Sequence, residues 1–193
     1  MRTTGAAHIA PPSTMILLDP DLKPVPALRS TSATQTVASN KNLRLPAART
    51  LARFLSEAQK ILRLQGHVTV LLTTDAAIRK LNRQFRHKDK ATDVLSFPAE
   101  CSFPAEGPMP GTAAEKIAGD VAISVPTAIR QSIGQGHSLA TEIKILILHG
   151  LLHLAGHDHE SDAGKMARRE RLLRARLNLP QGLIERATKV TKS

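Results

Sequence analysis

Four of the eight histidines in this 193-residue chain lie within one short segment, His149–His159, which reads HGLLHLAGHDH. His149 and His153 are four residues apart, a spacing that places two side chains on one face of a helix with Cβ atoms about 5–6 Å apart. Gly156 allows a sharp turn after the helix, so that His159 can return toward the other two rings. Three neutral imidazoles can bind zinc and leave a fourth tetrahedral position for water, as in catalytic zinc sites. The spacing therefore predicts that His149, His153 and His159 bind a metal ion.

Two further residues of the segment have open roles. His157 could replace His159 as a ligand, contact a substrate or be exposed to solvent. Asp158 is a candidate acceptor of a hydrogen bond that orients a ligand histidine. Zinc, one ion per chain, is the expected metal, although three histidines also suit nickel, cobalt or copper.

The same histidines match the extended zinc-protease pattern H-E-x-x-H-x-x-G-x-x-H at every position but one. The glutamate that acts as general base in that pattern is replaced by Gly150. Without a carboxylate there, peptide hydrolysis lacks its usual proton acceptor, whereas a metal can still polarise a phosphoryl oxygen. A divergent zinc metallopeptidase therefore stays open only as an alternative.

The positive charge of the chain is concentrated in two segments. The formal net charge is +11, and residues 79–90 and 165–176 each hold six lysines or arginines against one acid. Two basic surfaces of this kind favour a polyanionic partner such as RNA. The alternative is that both are ordinary solvated helix faces.

Composition excludes several classes of protein. The chain has four phenylalanines, no tryptophan or tyrosine, and one cysteine, Cys101. Few aromatic residues argue against RNA-binding modules that stack bases on several aromatic side chains. A single cysteine excludes an internal disulfide and a cysteine-only zinc site. Since no apolar run has membrane-spanning length and no signal peptide is visible, we expect a cytoplasmic protein with no membrane partner.

Apolar periodicity predicts the elements that position these residues. The helix that carries the histidines is apolar on nearly all faces, which predicts that it is buried centrally. The long loop between the last two strands favours an antiparallel pair. The expected helices cover about residues 46–64, 75–85, 126–134, 138–154 and 161–177, and the expected strands cover 67–73, 92–97 and 120–124.

This order of elements predicts an α+β fold. A small mixed sheet packs with helices around a central buried helix that carries the His-rich metal motif. Residues 1–45 are expected to form a partly flexible N-terminal extension with a candidate edge strand near 15–19. Residues 46–178 would form a single domain, and residues 179–193 a basic C-terminal tail. Either Met1 or Met15 could be the start of translation.

Three blocks of sequence resemble the YbeY family, bacterial rRNA maturation factors described as metal-dependent endoribonucleases. They are LNRQFRHKDKATDVLSFP at Leu81–Pro98, GDVAIS at Gly119–Ser124, and the histidine segment. Two positions differ from the family pattern, because Ala91 replaces a proline and Phe85 replaces a tyrosine.

The resemblance implies an α+β fold with zinc in a cleft, cleavage of single-stranded RNA, and a role in 3′-end maturation of small-subunit (16S) rRNA and in ribosome quality control. The expected partners are therefore rRNA and the small ribosomal subunit. The resemblance places the three metal ligands at His149, His153 and His159. It places the family's arginine implicated in activity at Arg86, and it supplies no obvious general base.

The chemistry of phosphodiester cleavage agrees with this assignment. A fixed guanidinium at Arg86 can bind two phosphoryl oxygens as negative charge develops on them. Neighbouring cations can contact further phosphates without reading bases, namely Arg79, Lys80, Arg83 and Lys88.

Three questions stay open at the level of sequence. Water on the metal could attack phosphorus, or the 2′-hydroxyl of the RNA could attack instead. The protein could be a metallopeptidase, as above. It could also be a non-catalytic ribosome-assembly factor whose metal only holds the fold.

Overall fold

The computed structural model describes residues 14–22, 43–99, 116–158 and 162–180. These ranges contain four strands and five helices. In chain order they are β1 (Thr14–Leu18), α1 (Ala48–Leu62), β2 (His67–Thr73), α2 (Asp75–Arg86), β3 (Val94–Pro98), β4 (Ile117–Ser124), α3 (Val125–Gln135), α4 (Leu139–Leu154) and α5 (Lys165–Arg176).

The four strands form one mixed sheet in the order β1-β2-β4-β3. Strand β2 is parallel to both of its neighbours, β1 and β4. Strand β3 pairs antiparallel with β4, with Leu95 opposite Ala122. The α+β class, the small mixed sheet and the antiparallel pair expected from the sequence are therefore confirmed.

Helix α4 lies at the centre of the molecule, as its sequence predicts. Twelve of its sixteen residues are buried, and its leucines and isoleucines pack in one core cluster with α1 and the sheet. Ser138 caps the helix by accepting a hydrogen bond of 3.1 Å from the backbone N–H of Thr141. Two buried polar residues, Glu142 and His149, interrupt the apolar surface of the helix.

Several element limits differ from those expected. The strand near 15–19 is present as β1 and is part of the sheet, so the sheet includes residues that precede position 46. Strand β4 begins three residues early because Ile117 pairs with His67 of β2. Helix α5 begins at Lys165 rather than near 161, because the side chain of Asp162 accepts hydrogen bonds from the N–H groups of Gly164 and Met166.

Other expectations fall where the structure gives no description. The stretches 1–13, 23–42 and 181–193 hold most of the proposed extension and tail, and they lie outside the described residues, as does His159. No helix among the described residues has the length and apolarity to cross a membrane.

Candidate functional site

The last two turns of α4 bring two of the three predicted ligands together. The Nε2 atoms of His149 and His153 are 3.2 Å apart. Their ring centroids are 4.8 Å apart, and the ring planes meet at 72°. His149 is buried, with 9% of its surface exposed, and His153 is half-buried. The two rings therefore share a face of the helix, and the Nε2 atoms point toward each other.

This separation can be compared with a metal site directly. A tetrahedral zinc ion with imidazole ligands at about 2.0–2.1 Å holds their nitrogen atoms about 3.3 Å apart. The observed 3.2 Å between the two Nε2 atoms fits two corners of such a site. Among the described residues no group of three metal-binding side chains is found. Because His159 lies outside them, the three-histidine site stays a prediction.

The chain turns after the helix as the sequence predicts. Gly156 has a φ of +83°, a conformation that glycine adopts without strain. The N–H of His157 then donates to the carbonyl oxygen of Leu152 at 3.0 Å. The chain therefore turns sharply at Gly156, and Asp158 is the last residue described before residue 162.

The buried carboxylate of Glu170 on α5 contacts the other side of the first ring. The Nδ1 atom of His149 lies 3.1 Å from Glu170 Oε2. Burial alone would raise the pKa of Glu170. The hydrogen bond from His149 and the charge of Arg174 outweigh that effect and lower the pKa below its ordinary value, so the group is ionised. An ionised carboxylate can only accept, so the Nδ1 atom of His149 is the donor in this hydrogen bond.

A buried arginine completes this row of contacts. Arg174 is 1% exposed and forms an ion pair with Glu170 one helical turn earlier. Its Nη1 atom donates to the carbonyl oxygen of Pro180 at 2.9 Å. Arg174 is therefore withdrawn from the basic surface that the sequence suggests for residues 165–176. The exposed cations of this helix are Lys165, Arg168, Arg169, Arg171 and Arg176.

Sequence reasoning missed the contact made by Glu170, which looks like the single acid in a cationic segment. The spacing of the residues in this helix could have indicated that Glu170 faces the core. Glu170 falls at helical spacing between Met166 and Leu173, on the inward face of α5. Asp158 was the expected orienting acid, but it is exposed, and its role as such stays a prediction.

Gly150 lets the histidine helix approach the sheet closely. A Cβ atom at this position would lie 2.7 Å from Val121 Cγ1 and 3.2 Å from Ser96 Oγ. Ser96 donates its hydroxyl to the carbonyl oxygen of Gly150 at 3.3 Å. The carboxylate that a zinc protease carries at this position therefore has no room in this fold, which argues against the metallopeptidase alternative.

The predicted catalytic arginine lies on a different element. Arg86 is the last residue of α2 and is exposed. The preceding residue, Phe85, packs its ring edge-on against Phe97 of β3 at 5.1 Å. Beside Phe97, the backbone of Gly119 is so close to Leu154 that an added Cβ would lie 2.8 Å from Leu154 Cδ2. A short series of contacts thus joins the last turn of α2 to the last turn of α4.

The basic segment after α2 is held in place by two side chains of that helix. Arg79 pairs with both carboxylate oxygens of Asp89 at 2.8 Å, and these hydrogen bonds lower the pKa of Asp89. Asn82 is buried and donates to the carbonyl oxygen of Lys90 at 2.7 Å. Arg79 therefore has a structural partner, whereas its role as an RNA contact stays a prediction.

The remaining predicted RNA contacts are Lys80, Arg83 and Lys88, and all three are exposed. They belong to α2 or to the segment that directly follows it. Their placement agrees with a continuous cationic surface around the end of α2, although their contact with RNA stays a prediction.

Comparison with known proteins shows the family to which this chain is similar. A family model described as Endoribonuclease YbeY matches residues 30–178. Endoribonuclease YbeY of Koribacter versatilis is 50% identical over 142 residues, which cover 74% of this chain and 85% of that protein. Endoribonuclease YbeY of Solibacter usitatus is 48% identical over 144 residues, which cover 75% of this chain and 86% of that protein. A solution structure of a Thermotoga maritima protein has a TM-score of 0.47 at 24% identity, covering 85% of this chain and 88% of that one.

The packing at Gly150 yields a stability prediction. Alanine is a better helix former than glycine by about 0.5–1 kcal/mol, but the added methyl group collides with Val121, and overpacking of this kind costs about 1–3 kcal/mol. We expect Gly150→Ala to lower the free energy of unfolding in urea by about 1 kcal/mol. Val121→Ala should cost less stability in the Gly150→Ala background than in the wild type, since there it also removes the colliding methyl groups.

Gly134 of α3 provides the matched control, because nothing lies within 4 Å of its added Cβ. Gly134→Ala should raise the free energy of unfolding by about 0.5–1 kcal/mol. If Gly150→Ala is as stable as Gly134→Ala, the close approach of α4 to β4 is wrong.

Proposed function

Since this chain belongs to the family of the endoribonuclease YbeY, whose members are named as RNA-cleaving hydrolases, we propose that it cuts single-stranded RNA with a zinc ion held by His149, His153 and His159. We further propose that its substrate is the 3′ end of small-subunit (16S) rRNA, and that it acts on the small ribosomal subunit in the cytoplasm, including in ribosome quality control.

One observation carries the metal part of the proposal, namely the 3.2 Å between the Nε2 atoms of His149 and His153. Two neutral imidazoles cannot both direct lone pairs at each other at this distance without a proton or a cation between them. With Nδ1 of His149 donating to Glu170, Nε2 is the atom of that ring that can bind a cation. A zinc ion bound here would act as a Lewis acid toward a phosphoryl oxygen.

The side chains of the protein itself bind and orient the RNA. The planar guanidinium of Arg86 can donate two parallel hydrogen bonds to phosphoryl oxygens and favours the charge that builds up on them during cleavage. Arg83, Lys80 and Lys88 bind adjacent phosphates and set the register of the strand without reading its sequence. The bidentate contact of Arg79 with Asp89 fixes the segment that carries Lys88.

Cleavage of RNA is favoured over cleavage of peptides by the same geometry. The position of the protease base is filled by Gly150, packed against Val121. The cations on and after α2 are exposed and suit a polyanion.

One residue is a candidate for giving the protein its preference for single-stranded RNA. Phe85 is 46% exposed, its ring is supported by Phe97, and it lies between the cations Arg83 and Arg86 in sequence. An exposed aromatic ring among cations is a surface on which an unpaired base can stack. A base within a duplex is already stacked and cannot do so.

The role of Arg86 is tested with zinc-loaded protein. We expect Arg86→Ala to lower the rate of RNA cleavage by about a hundredfold to a thousandfold, and Arg86→Lys to recover only a small part, because lysine lacks the two parallel donors. Zinc content and the urea midpoint should match the wild type, since the side chain is exposed. Cleavage by Arg86→Ala at the wild-type rate would contradict the assignment and favour a non-catalytic assembly factor.

Arg49→Ala serves as the control for Arg86. Arg49 is also an exposed arginine on a helix, α1, but it lies outside both basic segments. Its replacement should leave the cleavage rate close to that of the wild type.

Stacking on residue 85 can be observed directly, because the chain has no tryptophan or tyrosine. In Phe85→Trp the new indole is the single strong fluorophore. We expect a short single-stranded oligoribonucleotide, added in the presence of a chelator to prevent cleavage, to quench its fluorescence in a saturable way. The same sequence in a duplex should quench it weakly.

Ile133→Trp gives the matched control, because Ile133 is an exposed apolar residue on α3 outside both basic segments. Its fluorescence should not change with RNA. Equal quenching of Phe85→Trp by single-stranded and duplex RNA would contradict the proposed preference for unpaired bases.

A further inference from the structure

A buried row of polar groups runs from the first predicted ligand to the end of the described chain. His149 contacts Glu170, Glu170 pairs with Arg174, and Arg174 donates to the carbonyl oxygen of Pro180. Glu170 and Arg174 are 2% and 1% exposed. Resting on the zinc site proposed above, we propose that Glu170, supported by Arg174, is a positioning residue that sets the tautomer of His149 and aims its Nε2 lone pair at the metal.

The contact with Glu170 decides which ring nitrogen of His149 carries the proton. The Nδ1 atom of His149 lies 3.1 Å from Glu170 Oε2, and a carboxylate held between a guanidinium and an imidazole has no proton to donate. The proton of the neutral ring is therefore on Nδ1. The tautomer with the proton on Nε2 would place two acceptors, Nδ1 and the carboxylate, face to face, and it could not bind a cation through Nε2.

The stability of the fold alone does not account for the buried ion pair of Glu170 and Arg174. Removing a carboxylate and a guanidinium from water is costly, and apolar side chains of similar volume often give an equally stable or more stable core. The pair shares the buried face of α5 with the apolar side chains Met166 and Leu173. We therefore test the effect of the two charges on His149 separately from their contribution to packing.

A second buried carboxylate–imidazole contact involves α4, the helix that carries His149. The first turn of α4 has its own buried carboxylate, Glu142, whose Oε2 lies 3.0 Å from Nε2 of His137. Neither residue belongs to the histidine segment, so this pair is a buried carboxylate–imidazole contact without a proposed ligand. It provides a matched control for Glu170, two helical turns from His149.

The tautomer is measured on the wild-type protein without metal. Nitrogen-15 chemical shifts of the His149 ring separate the two neutral tautomers, and we expect the proton on Nδ1. A proton on Nε2 would overturn the inference without any variant.

The effect on the metal is measured with the double variant Glu170→Leu with Arg174→Met, which removes both charges of the ion pair together. We expect its urea midpoint to be at or near that of the wild type, while competition with a chromophoric chelator shows zinc binding weaker by about tenfold to a hundredfold. Its His149 ring should also lose the strong preference for the Nδ1 proton. Glu142→Gln should lower stability, but its affinity for zinc should stay within about twofold of the wild type, because distant sites act independently.

The outcomes separate this inference from the proposed function. Wild-type zinc affinity in the double variant overturns the positioning role and leaves the ribonuclease proposal standing. Weakened zinc binding in the double variant, together with no RNA cleavage by the zinc-loaded wild type, supports the positioning role and overturns the ribonuclease proposal. A wild-type protein that binds no zinc overturns both.

Discussion

The site depends on one constraint, which is that a buried imidazole is stable only when its ring nitrogens have partners. Helix α4 is otherwise lined largely with leucine and isoleucine, and the Nε2 atom of His149 lies 3.2 Å from Nε2 of His153, one turn later. The carboxylate that contacts Nδ1 comes from α5. Docking of α5 therefore does more than cover the core, since it brings a carboxylate to the Nδ1 side of His149. The Nε2 side faces His153 at a distance that suits a shared cation.

The packing of α4 against the sheet decides between chemistries that the histidine spacing leaves open. At Gly150 the helix touches Val121 of β4 with no room for a side chain. His149 directly precedes Gly150, so the close contact between α4 and β4 also determines how deeply the His149 ring is buried. A zinc protease carries a carboxylate at the position of Gly150, where this fold has no room for a side chain. The contacts through Phe97 and Gly119 meanwhile join the end of α4 to the end of α2, which carries exposed cations. A phosphate-containing substrate suits this combination of imidazoles and cations better than a peptide does.

Much of this architecture could be predicted because it follows from local patterns. The continuous apolar surface of residues 139–154 indicates a central helix, and the β-rich segments with a long loop between them indicate the antiparallel pair that β3 and β4 form. The pairing of the two histidines follows from helical spacing alone. Glu170, Arg174 and Arg79 were harder to interpret, because a charged residue in a basic segment looks the same in sequence whether it faces solvent or a buried partner. Their roles depend on which elements meet in space. The sequence predicts a start for α5 near 161, whereas the helix begins at Lys165. The Asp162 side chain accepts hydrogen bonds from the N–H groups of Gly164 and Met166, which precede or begin the helix.

The central claim is that His149 and His153, joined by His159, hold one metal ion with a coordination position left for substrate. X-ray absorption at the zinc edge of the reconstituted wild-type protein tests it most directly. The account predicts three imidazole nitrogens at about 2.0–2.1 Å and one further oxygen ligand. It also predicts that one imidazole disappears from the spectrum in His153→Ala. A zinc environment with fewer than three imidazoles in the wild type, or one that His153→Ala leaves unchanged, would contradict the account.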